Sequence, residues 1–502
     1  MDPDPRQATK RRVSRRDLVV GGAVGAAVGA AAVGTAWAVA DEPTAAPAGA
    51  TEPEEPPPTK RLRFHSTQLT APEATAWTKE GATPAAGLLF TTPRDPEFHG
   101  VVYDDRGQPV WIEPSGTQVL ELRVQRYRGR PVLTYWTGQV KEGLGFGKGV
   151  LLDEQYQVVA EVWAGNGILA DFHEFRITDD GTALFTAYPR LPADLSAVGG
   201  PEDGWIHGAR VQEVDIASGE VLLDWEGVDH IDLSESHRPI EDGEGESPER
   251  PWDPIHANSV APDGDHLLVS ARHTSTVYRV DRRTGQVTWR LGGANSDFEI
   301  PEDATFGWQH DAQRQPDGTI TIYDNHSNKM NSDDVSAALR LRVDEAAMTV
   351  ELVEALRHED RYGYAMGNAQ VLADGHVLVG WGMDPYATEF DADGQVVFEL
   401  GGLAGGSYRS YRHEWRGRPV TKPDLAVAEG QAHASWNGAT EVARWHFLHG
   451  GPRGPLRPLT MLDRDGFETS VDLPSESRRV RVEALDSTGR VLGSSRTVAV
   501  AT

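Results

Sequence analysis

The strongest constraint on what this chain can fold into is a repeat. Leu291-Gly292-Gly293 closes the segment Gly285-Gln286-Val287-Thr288-Trp289-Arg290, and Leu400-Gly401-Gly402 closes Gly394-Gln395-Val396-Val397-Phe398-Glu399 in the same way. Looser copies are Gly107-Gln108-Pro109-Val110-Trp111 and Gly219-Glu220-Val221-Leu222-Leu223-Asp224-Trp225. Each is a turn glycine followed by an alternating strand. Upstream lie hairpin turns at Asp180-Gly181, Asp263-Gly264, Asp317-Gly318 and Asp374-Gly375, each followed by an apolar strand such as Leu267-Leu268-Val269. Units that recur at a fixed period cannot bury an apolar face alone, so they stack. There are six from about residue 86 to 402, at roughly 50 residues each, the size of a four-stranded propeller blade. Blades are expected at 86–116, 117–168, 169–227, 253–293, 306–358 and 364–402, and the first is short enough to need a strand from elsewhere.

No long amphipathic pattern interrupts this texture, so the chain reads as all-β: a six-bladed β-propeller over residues 61–405. After a turn-rich stretch ending near Pro423, a second β texture fills residues 423–502. There Ala432-His433-Ala434-Ser435-Trp436, Ala443-Arg444-Trp445-His446-Phe447 and Arg479-Val480-Arg481-Val482-Glu483-Ala484 alternate polar with apolar. A tryptophan in an early strand followed by such a strand suggests an immunoglobulin or fibronectin III-like β-sandwich, suited to attachment or packing.

Three hairpins carry a histidine at one offset. His173, His256 and His310 each stand eight residues before the turn glycines Gly181, Gly264 and Gly318; in the sixth unit that slot is Gly367. Equivalent positions of neighbouring blades are related by rotation about the propeller axis, so side chains at the starts of the innermost strands converge on the central channel. The other histidines, His99, His207, His230, His237, His266, His358, His376, His413, His433, His446 and His449, lack the period and read as surface or loop residues. Arg272, just beyond an apolar strand, reaches toward the same channel end as a forked cation for an oxyanion. Asn258 follows His256 on the same strand face and can donate an amide hydrogen bond there. Asp171 and Asp311 flank two of the histidines, either to fix a tautomer or to pack blades. Asn325, in Tyr323-Asp324-Asn325-His326, offers a further polar group. Trp205, Trp252, Phe306, Trp308, Tyr364 and Trp381 lie near inner strand ends, to stack on an aryl ring or to fill the core. The acidic run Glu241-Asp242-Gly243-Glu244-Gly245-Glu246 reads as a solvated loop, a lid or a calcium loop.

Two chemistries want three imidazoles, an arginine and an amide at a channel mouth. One is a metal site, since neutral imidazole is a good ligand, although a guanidinium beside a dication is repelled. The other is transfer of an anionic group, in which one imidazole attacks while donors hold the oxygens. A metal-dependent propeller hydrolase or lactonase would prefer carboxylates at the strand starts, and a non-catalytic binding propeller is the third reading.

The stretch Trp252-Asp253-Pro254-Ile255-His256-Ala257-Asn258-Ser259-Val260, then Ser270-Ala271-Arg272-His273-Thr274-Ser275, Phe306-Gly307-Trp308-Gln309-His310-Asp311 and Tyr323-Asp324-Asn325, resembles the successive signatures of the arylsulfotransferase family. The resemblance spans about 61–405 and is most specific over 250–326. It implies a six-bladed propeller in which a histidine is transiently sulfated on nitrogen, taking the group from a phenolic sulfate and passing it to another phenol, with no nucleotide donor, no cofactor and no metal. By motif His310 matches the nucleophile, His256 and Arg272 the groups that hold the sulfuryl oxygens, and His173 a further catalytic histidine. Asn258, Asn325, Trp308 and Trp252 are the candidate substrate-binding residues. Some exported members carry a large N-terminal sandwich and a disulfide; this chain has no cysteine and carries its sandwich at the other end.

Charge and termini complete the expectation. A formal charge of −28 argues against a nucleic-acid surface, which needs a concentrated basic face. Lys10, Arg11 and Arg12 precede Ser14-Arg15-Arg16-Asp17-Leu18, an uncharged Ala/Gly/Val run, and the small-x-small site Ala38-Val39-Ala40. Residues 1–40 resemble a twin-arginine signal, with a permanent anchor as the alternative, because Leu18 to Ala40 is just long enough to span a bilayer. Residues 41–60, rich in Pro and Glu, read as a disordered tether. The expected location is outside the cell or at the cell envelope.

Overall fold

Asp-Gly turns spaced by short alternating strands leave the repeat region little room for helices. The structure, a computed structural model, describes residues 60–326 and 335–501. Among these there are strands and four single 3-10 turns, no α-helix, and no helix long and apolar enough to cross a membrane. Residues 1–40, expected as a twin-arginine signal, and 41–60, expected as a tether, lie outside the described residues apart from Lys60.

Six antiparallel sheets follow one another. Sheet 2 spans Val119–Tyr127 to Val158–Val162, sheet 3 Phe175–Ile177 to Val221–Glu226, and sheet 4 Ala257–Asp263 to Val287–Gly292. Sheet 5 spans His310–Arg314 to Thr349–Leu356, and sheet 6 Asn368–Val371 to Val396–Gly401. Sheet 1 has three strands from Leu88–Pro93 to Pro109–Ile112, and its inner position is taken by Ser407–His413, paired Ser407 with Pro93 and His413 with Leu88. The 405 boundary drawn from the repeat therefore falls short, because the closing strand lacks the turn-glycine signature. From the other terminus, Thr75–Thr78 adds a fifth, outer strand to sheet 6.

Successive sheets touch in order at their inner strands, sheet 3 meeting sheet 4 through its second strand, Thr182–Ala187, and the inner strand of sheet 1 touches those of sheets 2 and 6, so the ring is closed. An apolar cluster sits at each of the six seams. Leu184, Val211 and Trp225 meet Val260, Leu267 and Val269 between sheets 3 and 4, and Leu89, Val101 and Tyr103 meet Leu378, Phe398 and Leu400 between sheets 1 and 6. Because both faces of a sheet are covered, strands such as Thr182–Ala187 and Ala387–Phe390 are buried at every position instead of alternating. Gly367 stands in the repeat's histidine slot for a steric reason: with φ +103°, a Cβ there would lie 2.3 Å from the Tyr323 ring. The sixth sheet cannot contribute a side chain to the channel at that level.

Polar groups knit the ring's centre. Arg409, on the closing strand and fully buried, donates from Nη2 to the carbonyl oxygens of His173 (3.2 Å) and Asn258 (3.1 Å), and from Nη1 to Glu121 (3.0 Å) and Glu174 (3.2 Å). Glu174 also accepts from Arg123 at 2.5 Å. Burial opposes ionisation of Glu174, but Arg409, Arg176 and Arg123 together outweigh it and hold its carboxyl at about 2. Arg412 ties the same strand to Glu389 of sheet 6 at 2.8 Å.

Residues 424–499 form two further sheets, one of three strands and one led by Arg444–Gly450 and Arg479–Leu485, with Ala432, Ala434, Trp445, Phe447, Val480 and Val482 buried between them. They dock on the outer edge of sheet 1. The Asn437 side chain accepts from Ile112 N and donates to Ile112 O, both at 2.8 Å, pairing an edge strand that would otherwise be open.

Arg409→Leu should destabilise the protein by about 3 kcal/mol, because it leaves buried Glu121 and Glu174 to share Arg123. Chemical denaturation checks this; an unchanged midpoint would show that the network does not hold the ring.

Candidate active site

The inner strands of sheets 3, 4 and 5 start at one end of the ring, and each brings a histidine there. His310 is the first residue of His310–Arg314, His256 immediately precedes Ala257–Asp263, and His173 stands two residues before Phe175–Ile177. His256 has φ 55°, in the left-handed region, and lines the central cavity. The rings of His173 and His256 stand edge to face with centroids 4.7 Å apart. Both, with His310 and Arg272, line a cavity of about 380 Å³ walled further by Phe172, Tyr364, Met366 and Tyr408.

Each imidazole is oriented through Nδ1. His173 Nδ1 lies 2.6 Å from Asp171 Oδ1, and His256 Nδ1 lies 2.6 Å from Asp253 Oδ2. A carboxylate only accepts, so these nitrogens carry the proton. His310 Nδ1 faces Asn325 Oδ1 at 2.7 Å, and Asn325 Nδ2 donates to Gly363 O (2.6 Å) and Met366 O (3.0 Å). The two carbonyls fix the amide's orientation, so its oxygen accepts from His310 and Nε2 keeps a bare lone pair.

Burial pushes His310 well below the usual imidazole range, and the Arg272 cation adds to the drop. His173 and His256 are also lowered by burial, with Asp171 and Asp253 pulling back. Burial would raise Asp253, but His256 and His273 outweigh it and keep the carboxyl ionised. Tyr188 and Tyr408 are raised well above the usual phenol range by burial and stay protonated. Arg272 is 3 % exposed; its Nη1 lies 3.2 Å from His273 Nε2, and its guanidinium carbon lies 5.0 Å from the Trp308 ring centroid.

The structure thus gathers His173, His256, Arg272 and His310 on one cavity, with Asn325 behind His310 and Trp308 behind Arg272. Neither of these last two lines the cavity. Asn258 does not reach it: its amide donates to Gln309 O at 2.8 Å and ties sheet 4 to sheet 5. Trp252 packs with Leu195 and Ile206 under the Arg190–Ala193 hairpin and is core, its ring too deep to stack on a substrate. Asp171 does set a tautomer. Asp311 does not: it turns away to accept from Ala369 N at 3.2 Å and Gln313 at 2.6 Å, bridging sheets 5 and 6. Trp381 is core against Tyr323, whereas Tyr364 reaches the cavity.

Several residues were read wrongly or passed over. His207, expected at the surface, is buried on the cavity wall, and His433 and His449 are buried as well, since strand pairing covers positions that single-residue reading leaves open. The run Glu241–Glu246 is not a free loop. Arg238 holds Glu244 in a fork at 2.7 and 3.0 Å, and Glu241 and Glu244 form part of the cavity rim. Asp253 was legible from its place three residues before His256, as Asp171 stands two before His173. Tyr408 was not, lying beyond the repeat.

Asp253, His256 and His273 place ligand atoms within 4.8 Å of one another, spacing that a metal can use. Here His256 Nδ1 donates to the Asp253 carboxylate, His273 Nδ1 to its carbonyl oxygen at 2.7 Å, and the far side of His273 faces a guanidinium. The donor set is engaged in hydrogen bonds and stands beside a cation, a poor surrounding for a dication.

Fold and site together define a propeller-like all-β protein whose cavity gathers imidazoles around Arg272, with Arg238 and Arg250 also on its wall. The chain belongs to the arylsulfotransferase (ASST) family, whose family model matches residues 123–402. No curated protein matches it significantly. Similar solved structures include a protein of unknown function from Bacteroides caccae, at 14 % identity and TM-score 0.38 over 65 % of this chain and 98 % of that one. Another is a catalytically inactive virginiamycin B lyase from Staphylococcus aureus with quinupristin, at 9 % identity and TM-score 0.32 over 73 % and 97 %. Likeness at that level bears on neither substrate nor chemistry.

In ¹⁵N spectra near neutral pH, His310 should appear as the Nδ1-protonated tautomer, and Asn325→Leu should mix the tautomers. A His310 protonated on Nε2 in the wild-type protein would contradict the orientation of the amide.

Proposed function

We propose that this protein is an aryl sulfotransferase that moves a sulfuryl group from a phenolic sulfate ester to a phenol through a sulfohistidine on His310, without a nucleotide donor. The six sheets are taken as the blades of a six-bladed propeller, and residues 424–499 as its immunoglobulin or fibronectin III-like sandwich. Family membership supports a sulfotransferase acting on phenolic substrates. The observation that carries the finer reading is the bare Nε2 of a buried His310, held by a neutral amide beside Arg272.

In the first half-reaction the Nε2 lone pair forms a bond to sulfur while the sulfur–oxygen bond to the aryl group breaks, and a phenolate leaves. Arg272 and His256 hold the sulfuryl oxygens as charge spreads over them, much as in phosphoryl transfer. In the second half an acceptor phenol gives its proton to Nε2 of His256 or His173, and its oxygen takes the sulfuryl group, returning His310 neutral. The imidazolium formed is steadied by Asp253 or Asp171, and the same dyad protonates the next leaving phenolate. Export by the twin-arginine route, to the cell envelope or beyond, is part of the proposal; exchanging Arg15 and Arg16 for lysine tests it by blocking export.

His310→Asn should abolish release of phenol from a chromogenic phenyl sulfate, and Arg272→Ala should slow it by roughly a hundredfold or more, the usual effect of losing an oxyanion donor. Wild-type turnover by His310→Asn, or cold, neutral mass spectrometry finding sulfate only on another residue, would reject the nucleophile. Activity should survive dialysis against a strong chelator; loss restored by one metal would favour the hydrolase reading.

The pH profile has a definite sign. Only neutral His310 attacks, and its pKa is depressed, so the acid limb of kcat/KM for the donor should fall below the ordinary imidazole value of about 6.5. Arg272→Gln removes a cation that disfavours imidazolium, so in that variant the limb should move up.

A further inference from the structure

His273 is outside the repeat and has no part in the steps above, yet it is buried against the centre, 1 % exposed. Its ring lies 4.7 Å from that of His256 and stands edge-on to Trp308 at 5.5 Å. Nδ1 lies 2.7 Å from the carbonyl oxygen of Asp253. A carbonyl only accepts, so Nδ1 carries the proton and Nε2 offers a lone pair. That lone pair meets Arg272 Nη1 at 3.2 Å, while Trp308 lies against the guanidinium. Asp253 therefore sets two rings at once, His256 through its carboxylate and His273 through its main chain.

We propose that His273 is a positioning residue for the sulfuryl site: held by Asp253, it grips one N–H of Arg272 and so fixes the plane of the guanidinium fork relative to His310. The role rests on reading the cavity as a sulfuryl-transfer centre. The physical case is the rigidity of the fork, in which fixing one N–H against a neutral acceptor and one face against an indole fixes the direction of the whole cation. A neutral acceptor at that N–H orients the charge without cancelling it.

Two substitutions separate this from a purely structural role. His273→Gln keeps both bonds, an amide N–H for the Asp253 carbonyl and an amide oxygen for Arg272, whereas His273→Phe fills the ring's volume and offers no acceptor. Inorganic sulfate affinity by calorimetry, turnover of a chromogenic phenyl sulfate and thermal midpoint are measured on wild type and both variants. His273→Phe should lose about 10–100-fold in sulfate affinity and in kcat, as expected for one hydrogen bond to a charged group, with the Gln variant close to wild type and all midpoints alike. If the Phe variant does not fold, His273→Leu replaces it. A Gln variant as poor as the Phe variant, or equal sulfate affinities in all three proteins, overturns the positioning role whatever the turnover. Wild-type protein that turns over no aryl sulfate but keeps that order of sulfate affinities sinks the transfer reaction and leaves Arg272 oriented by His273.

Discussion

Arg409 is the side chain on which the rest of this structure depends. It arrives on the last strand of the ring, is wholly buried, and reaches the main-chain oxygens of His173 and Asn258 on two other sheets while neutralising Glu121 and Glu174. Tyr408 beside it donates to the same two carbonyls at 3.1 and 3.3 Å. The strand that closes the ring is thus also the strand that holds the backbone beneath two of the three channel histidines. A buried cation of this kind is weak evidence for stability gained, since desolvation offsets most of its Coulomb attraction, but it specifies one arrangement because every alternative leaves a charge unpaired.

Above that hub the three imidazoles are alike in position and unlike in partner. His173 and His256 lean on carboxylates, which favour the charged ring; His310 leans on an amide, which does not. With Arg272 near, burial then acts on His310 with little to oppose it, and of the three rings the one proposed to attack is pushed well below the usual imidazole range. Division of labour among three equivalent positions comes from the side chain each neighbouring loop supplies.

Much of this was legible in the chain. A period of turn glycines and Asp-Gly hairpins announces stacked four-stranded units, and a histidine at one offset in three of them announces convergence, because rotation about an axis turns sequence equivalence into proximity. Asp171 and Asn325 were visible as polar neighbours. Asn258 was visible for the wrong reason: strand alternation assigns a face, but Ala257–Asp263 is buried on both faces, so a residue on the channel side can still be spent on a seam between sheets, and Trp252, outside the named strands, is spent on a separate core. His207 is buried for another reason: it ends the Gly204–His207 strand of a separate hairpin, whose main chain at His207 bonds to Trp252.

The sequence by itself determined the β class and, through local periodicity, the recurring units and the three histidines at one offset, while Arg272 was legible from its place just past an apolar strand. Only the tertiary structure decided which strand completes the first sheet, that Tyr408 and Arg409 from beyond the repeat reach the cavity and its foundations, and which hydrogen-bond partner each imidazole takes. Those are contacts between segments far apart in the chain, such as Arg409 with Glu121 or His310 with Asn325, and no local pattern encodes them. They are settled when the ring closes and each buried polar group must find a partner within reach.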